Sequence, residues 1–316
     1  MDGFRVILHN VTLLACMIAI GFAAFRSGYF PREINTAISK VVVKLTLPLL
    51  IISSLTKVQL TRERMINSAF ILAAAAIVIF LLFLFGGFIG RRLSLPKKTL
   101  LLHQSMTALG NVGFLGYPLM LALYGEEGLF YAALYGFVND FFVWTYIVYR
   151  LSSEGTVLSG RAAIKNMLNP PTIAFVAALL MLVFGIRPTG IFEELISGFG
   201  GTTTCLSMLF IGGVLAGASL RKMLHCLPAL CIILVKMLLV PIAVTLIVRT
   251  LPFDPVAKGA LVMQIAVPCQ TILSVLTSEY GGDTEFVAKG IFVTTIAGLA
   301  TMPFISYIFS LLTQGM

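Results

Sequence analysis

Long apolar runs separated by short polar loops recur from one end of the chain to the other. Charge-free stretches such as Met65–Gly90, Asn166–Ile186, Leu195–Leu220 and Gly290–Met316 each reach the roughly 20 residues that cross hydrocarbon as a helix. The pattern predicts ten spans, near 5–25, 36–56, 66–90, 99–123, 129–150, 166–186, 194–218, 225–248, 257–278 and 286–312. The longest loop, 151–165, carries Ser, Gly and charge and divides the chain near its middle. The first apolar region, Val6–Phe25, is long enough to span and flows into the next segment, so it reads as a span and not as a signal peptide. With no polar stretch large enough to fold in water, residues 1–316 read as one all-α integral membrane domain.

Composition agrees with the pattern. Charged residues make up 11% of the chain, against about 25% in a soluble domain, and the mean hydropathy is +1.01. The net charge of +9 would point to nucleic acid in a soluble chain, but here the bases sit mostly in short loops and read as topology. Arg5, Lys57, Arg62, Arg64, Arg187, Arg249 and Lys258 share one side with both termini. The larger set, Arg26, Arg32, Lys40, Arg91, Arg92, Lys97, Lys98, Arg150, Arg161, Lys165, Arg221, Lys222 and Lys289, lies opposite and should be cytoplasmic. That orientation puts both termini outside the plasma (inner) membrane and loop 151–165 inside. The external turns at Glu126, Glu127, Glu193, Glu194 and Asp254 are acidic, and the three bases of the 57–64 loop are an exception. The cysteines 16, 205, 226, 231 and 269 are scattered without metal-ligand spacing, so neither a metal site nor a disulfide framework is expected.

Span 4 contains an anomaly. Gly110, Gly113 and Gly116 weaken its helix, Pro118 removes a backbone donor, and Asn111 places an amide among them. A backbone group freed in lipid costs several kcal/mol unless protein, water or ligand satisfies it. The segment 110–118 therefore reads as an interruption facing protein or a polar cavity; small residues that only permit close packing are the plainer reading.

The second half of the chain repeats the first at a shift near 160. Arg91, Arg92 and Leu93 lie over Arg249, Thr250 and Leu251; Lys98 and Gln104 lie over Lys258 and Gln264; Tyr124 and Gly125 lie over Tyr280 and Gly281. Each half, 1–152 and 163–316, holds five spans. An odd number inverts the second copy, a device that recurs in secondary transporters. The partner of span 4 is span 9, where Pro268 interrupts the apolar run beside Cys269, Gln270 and Thr271. Paired interruptions in inverted halves point to a midplane substrate site, with half-helix N-termini suited to an anion. Gly110, Asn111, Gly113, Pro118, Pro268, Gln270 and Thr271 are its candidate residues.

Other polar residues lie inside spans. Lys236 is a substrate counter-ion, a built-in cation where another carrier binds sodium, or half of a structural ion pair. Asp140 pairs with Lys236, titrates as a proton site, or lies nearer an interface. Gln104, Gln264 and Asn139 ligand a coupling ion (H+ or Na+) or substrate, or hydrogen-bond between helices. Pro48, Ser53 and Ser54 form a kinked cavity wall or a plain packing kink. There is no GxxxxGK[ST], HExxH or paired intramembrane carboxylates, so neither an ATP-driven pump nor an enzyme is expected, and no cofactor.

LPLLIISSL in span 2, GNVGFLGYPLMLALYGEEGLFYAALY across spans 4 and 5, KMLLVP in span 8, and Pro268 followed by SEYGG resemble the auxin efflux carrier family, which includes bacterial permeases and the plant PIN carriers. The resemblance covers essentially the whole chain. It implies the fold of the bile acid/sodium symporters, with spans 1, 2, 6 and 7 as scaffold and spans 3–5 and 8–10 as a moving unit. Spans 4 and 9 would cross at their breaks. It also implies transport of auxin- or malate-like organic anions by an elevator motion, in a homodimer. This chain has Ile272 where many relatives carry Asn, and Asp140 where a small residue is more common. The readings from other classes are a carboxylate receptor that moves nothing, and a sodium- or proton-coupled antiporter.

Overall fold

The computed structural model describes residues 2–152, 168–217 and 226–313. Most of loop 151–165, with Arg161 and Lys165, and the bases Arg221 and Lys222 lie outside the described residues. Among the described residues every regular element is a helix: α1 Asp2–Arg26, α2 Arg32–Lys57, α3 Arg62–Arg92, α4 Lys97–Ala108, α5 112–124, α6 126–152, α7 Pro170–Val183, α8 Ile191–Ala216, α9 Leu227–Val248, α10 Pro255–Ala266, α11 Ile272–Glu279 and α12 Thr284–Thr313. Six of these, α1, α2, α3, α8, α9 and α12, are long and apolar enough to cross a membrane, while α7 and α10 are shorter apolar helices. The chain is a multi-pass membrane protein.

Local chemistry sets the helix ends. Thr61, Asn169 and Asp254 accept main-chain N–H bonds at the starts of α3, α7 and α10, and prolines follow at Pro170 and Pro255, where a missing N–H is harmless. Gly125 (φ 62°, ψ −151°) turns α5 into α6, and Gly281 (φ 72°) ends the segment that carries α11. These are the glycines of the repeated Tyr-Gly pair. A side chain is strained at such φ values, so the repeated sequence marks a repeated turn.

Pro118 does not break its helix. It lies in the first turn of a regular helix, directly after a wide π-turn at Val112–Gly116. Pro48 follows the π-turn Val42–Thr46, and Pro241 follows Ile233–Leu239 in the same way. A proline clashes with the carbonyl four residues back, and a turn that bonds five residues on moves that carbonyl aside. The interruption in span 4 therefore falls at 109–111, earlier than the proline suggests.

Two groups of helices pack internally. α1 lies along α8, and α2 packs on both α7 and α8; α3 packs on α4 and α6, and α10 packs on α6, α9 and α12. The α1–α8 crossing is backbone against backbone. A Cβ on Gly212 would lie 2.4 Å from Ile18 O and 2.5 Å from Phe22 N, and one on Gly21 would lie 2.9 Å from Leu209 O. Two ion pairs tie the α2–α3 loop to the α5–α6 turn: Lys57 to Glu126 at 3.2 Å and Arg64 to Glu127 at 2.6 Å.

Candidate functional site

Pro268 determines the second interruption. The ring disfavours helical backbone at the residue before it, and Val267 is accordingly extended (φ −61°, ψ 149°). Leu109 is likewise extended (φ −99°, ψ 135°) after α4. The two extended stretches run antiparallel and meet in an isolated bridge between Gly110 and Cys269. Asn111 N donates to Pro268 O at 2.8 Å across this bridge. The approach at 110 is close: a Cβ there would sit 2.5 Å from Val267 Cγ2, so any larger residue has to displace that side chain.

Helices α4 and α10 both arrive at the bridge with their C-terminal ends, where carbonyls lack helical partners and carry partial negative charge. Lys236 projects into that spot from the π-turn of α9, and only 1% of it is exposed. Its Nζ donates to Leu109 O at 2.6 Å and to Pro268 O at 3.3 Å. No acid among the described residues lies within ion-pair distance of it. Asp140 is therefore not its partner, and the cation is held by main-chain carbonyls instead.

Asn139 of α6 joins both interruptions. Its Oδ1 accepts from Gly110 N at 3.2 Å, and its Nδ2 donates to Gln270 Oε1 at 3.0 Å. Asp140, the next residue of α6, is partly exposed. Asn139→Ala leaves the Gly110 N–H without its acceptor in a dry interior, a loss of about 1–3 kcal/mol. Thermal melting of purified Asn139→Ala should show that cost; a melting temperature equal to wild type would mean the N–H has another acceptor.

The other expected residues fall in several places. Gly110, Asn111, Cys269 and Asn139 are buried, while Gly113, Asp140, Gln270 and Thr271 are partly exposed and mark the side from which the bridge is reached. Gln264 is wholly buried, with its amide over Gly116 and neither amide atom bonded. Its repeat counterpart Gln104 packs against Gly87 of α3. Pro48 and Ser54 are buried in α2. Ser53 bonds Ser197 at 3.3 Å and lines a cavity of about 280 Å³ with Lys57, Arg187 and Glu193. That cavity lies between α2 and the start of α8 rather than at the bridge, so Ser53 walls a space other than the one expected. Thr294 escaped the sequence reading: its hydroxyl accepts from Cys269 N at 3.2 Å, and one of several hydroxyls in the apolar run of α12 carries no signal that it does so. Cys269 Sγ donates to Met106 O at 3.3 Å, tying the bridge back to α4.

Helices of this length and apolarity define a multi-pass membrane protein, with a buried lysine where α4 and α10 end. The family described as "Membrane transport protein" matches residues 6–159 and 156–306, and the chain belongs to it; this is the auxin efflux carrier family that the span motifs resemble. The chain is 24% identical over 297 residues to an uncharacterized transporter of Methanothermobacter thermautotrophicus, covering 93% of this chain and 96% of that protein. It is also 24% identical over 306 residues to an uncharacterized transporter of Methanocaldococcus jannaschii, covering 92% and 94%.

Proposed function

We propose that the chain is a secondary carrier of small organic anions, of the malate or auxin kind, working by alternating access. The observation that carries this reading is the Lys236 ammonium between Leu109 O and Pro268 O. Two helix C-termini meeting in a membrane form a cation site. A lysine in that site supplies the charge permanently, where another carrier would bind sodium. The opposite half-helices α5 and α11 then offer N-terminal N–H groups and partial positive charge to a carboxylate, beside Asn111, Gln270 and Thr271. Lys236 leaves this electrostatic balance in favour of an anion.

In this reading α4 with α5, and α10 with α11, each make one crossing, so the chain crosses ten times in two inverted halves. Helices α1, α2, α7 and α8 form the scaffold, and α3–α6 and α9–α12 move against it in an elevator motion. The recurrence of the turn glycines Gly125 and Gly281, and of the interruptions after Ala108 and Ala266, supports the repeat. The pairing of Lys57 and Arg64 with Glu126 and Glu127 offsets two of the bases that made the 57–64 loop an exception, which favours both termini outside. We take the carrier to be a homodimer joined through its scaffold.

Counterflow tests the reading. Proteoliposomes loaded with unlabelled L-malate or indole-3-acetate should take up the labelled compound against its gradient, and Asn111→Ala should slow this about tenfold or more. Ligand-induced thermal stabilisation without any counterflow would instead indicate a receptor that binds a carboxylate without moving it.

A further inference from the structure

The cavity of about 280 Å³ at the Lys57 end of α2 adjoins a second space of about 320 Å³. Thr56 and Arg187 line both. The first space is polar, with Ser53, Lys57, Glu193 and Ser197 in its wall. The second is mainly apolar, with Leu60, Met181, Leu182 and Ile186. Val183 and Ile186 are 58% and 55% exposed there, so in a membrane protein the apolar space borders lipid. Gly185 (φ 69°) and Gly190 (φ 59°) bend the chain between α7 and α8, and the bend brings Arg187 and Glu193 to one polar wall.

The charges and hydroxyls of the polar wall define what fits it. Lys57 is already paired with Glu126 at 3.2 Å. Arg187 and Glu193 are not: among the described residues neither makes an ion pair or a side-chain hydrogen bond. The wall therefore offers one open cation and one open anion. Ser53 and Ser197 share a single hydrogen bond at 3.3 Å, which leaves one of the two hydroxyls an O–H to donate. Thr56 spends its proton on Ile52 O at 2.7 Å, so its oxygen can only accept from a ligand. The complement is a head group with a phosphate, an ammonium and no net charge, joined to an apolar tail. A phosphate suits the planar guanidinium of Arg187, and a primary ammonium suits Glu193 with Thr56 Oγ1. A purely anionic head would set its charge against Glu193, and a free inorganic anion would leave the apolar space unfilled.

We propose that the two adjoining spaces are a binding site for a zwitterionic membrane phospholipid of the phosphatidylethanolamine type. Its phosphate lies at Arg187 and the serine pair, its ammonium at Glu193 and Thr56, and the first carbons of an acyl chain along Leu60, Met181 and Ile186. Basic pockets between membrane helices are a recurrent headgroup site, and here the acid beside the base selects the zwitterion. The lipid wedges between α2, α7 and α8. No residue of the site belongs to the bridge at Gly110 and Cys269, so the site does not depend on what the chain carries.

Native mass spectrometry of the delipidated full chain tests the site, with phosphatidylethanolamine, phosphatidylglycerol and inorganic phosphate added in turn. Phosphatidylethanolamine should be held about tenfold more tightly than phosphatidylglycerol, and inorganic phosphate should not displace it. Arg187→Gln should weaken the ethanolamine lipid about tenfold, and Glu193→Gln should abolish its advantage over the glycerol lipid. Arg62→Gln removes an exposed base outside the site and should change neither. Thermal melting of the three variants should match wild type. A phosphatidylethanolamine with a photoreactive acyl chain, used on the unaltered protein, should label the segments 56–60 and 181–187. Equal retention of the two lipids, displacement by inorganic phosphate, a loss shared by Arg62→Gln, or labelling confined to other segments would overturn the site.

Discussion

Lys236→Met should reduce transport at least a hundredfold while leaving a protein that reaches the membrane. Methionine keeps the bulk of the side chain and loses the charge. Two hydrogen bonds from an ammonium to Leu109 O and Pro268 O disappear together. Hydrogen bonds to charged groups contribute about 1.5–3 kcal/mol each, and a loss of about 3 kcal/mol in the organisation of the site corresponds to more than a hundredfold. The overall stability should fall less than the activity, because burying the ammonium was itself costly. Counterflow rate and thermal melting of the same preparation check both halves. High sodium should not rescue Lys236→Met, because the lysine itself is the resident cation; rescue by sodium would mean that the bridge normally holds a bound ion.

Gly212→Val should be the most destabilising single change outside the site. Even a Cβ at 212 falls 2.4 Å from Ile18 O, 2.5 Å from Phe22 N and 2.7 Å from Gly21 C, all main-chain atoms of α1. Neither a rotamer change nor a small side-chain shift relieves contacts with backbone. α1 must move off α8, and with it the packing of Ile18 and Ile211 is lost. Overpacking a close-packed contact costs about 1–3 kcal/mol, and valine at this position lies at or above the upper end. Melting followed by the fluorescence of the single tryptophan, Trp144, should show the drop. Gly198→Ala and Gly201→Ala serve as controls on the same helix, since a Cβ at either meets nothing within 4 Å. A loss shared by all three would point to membrane insertion instead of the crossing, since alanine and valine both favour a helix over glycine.

The sequence was most informative where a residue acts on its own backbone. The apolar runs require helices in lipid, Pro268 and Gly110 are felt within one or two residues, and the repeated Tyr-Gly pair ends its helices in both halves. It misled where a neighbouring turn absorbs the effect, as at Pro118, whose clash is relieved by the π-turn at Val112–Gly116. It was silent on partners supplied by main chain. Lys236 was visible as a costly charge, but nothing in a sequence distinguishes a carbonyl partner from the acid at Asp140. Gln104 and Gln264 match in sequence and differ in surroundings, one against Gly87 and the other against Gly116, because their packing partners come from different helices. The link from Gly110 through Asn139 to Gln270 joins residues up to 160 positions apart, and only the fold brings them together.

The location of a bound anion tests the central assignment most directly. A bromine-substituted carboxylate that inhibits counterflow should be soaked or co-crystallised with the protein and located by anomalous scattering. The assignment predicts bromine density beside Asn111, Gln270 and Thr271, at the meeting of the two interruptions. Density confined to the cavity lined by Ser53, Lys57, Arg187 and Ser197 would contradict it.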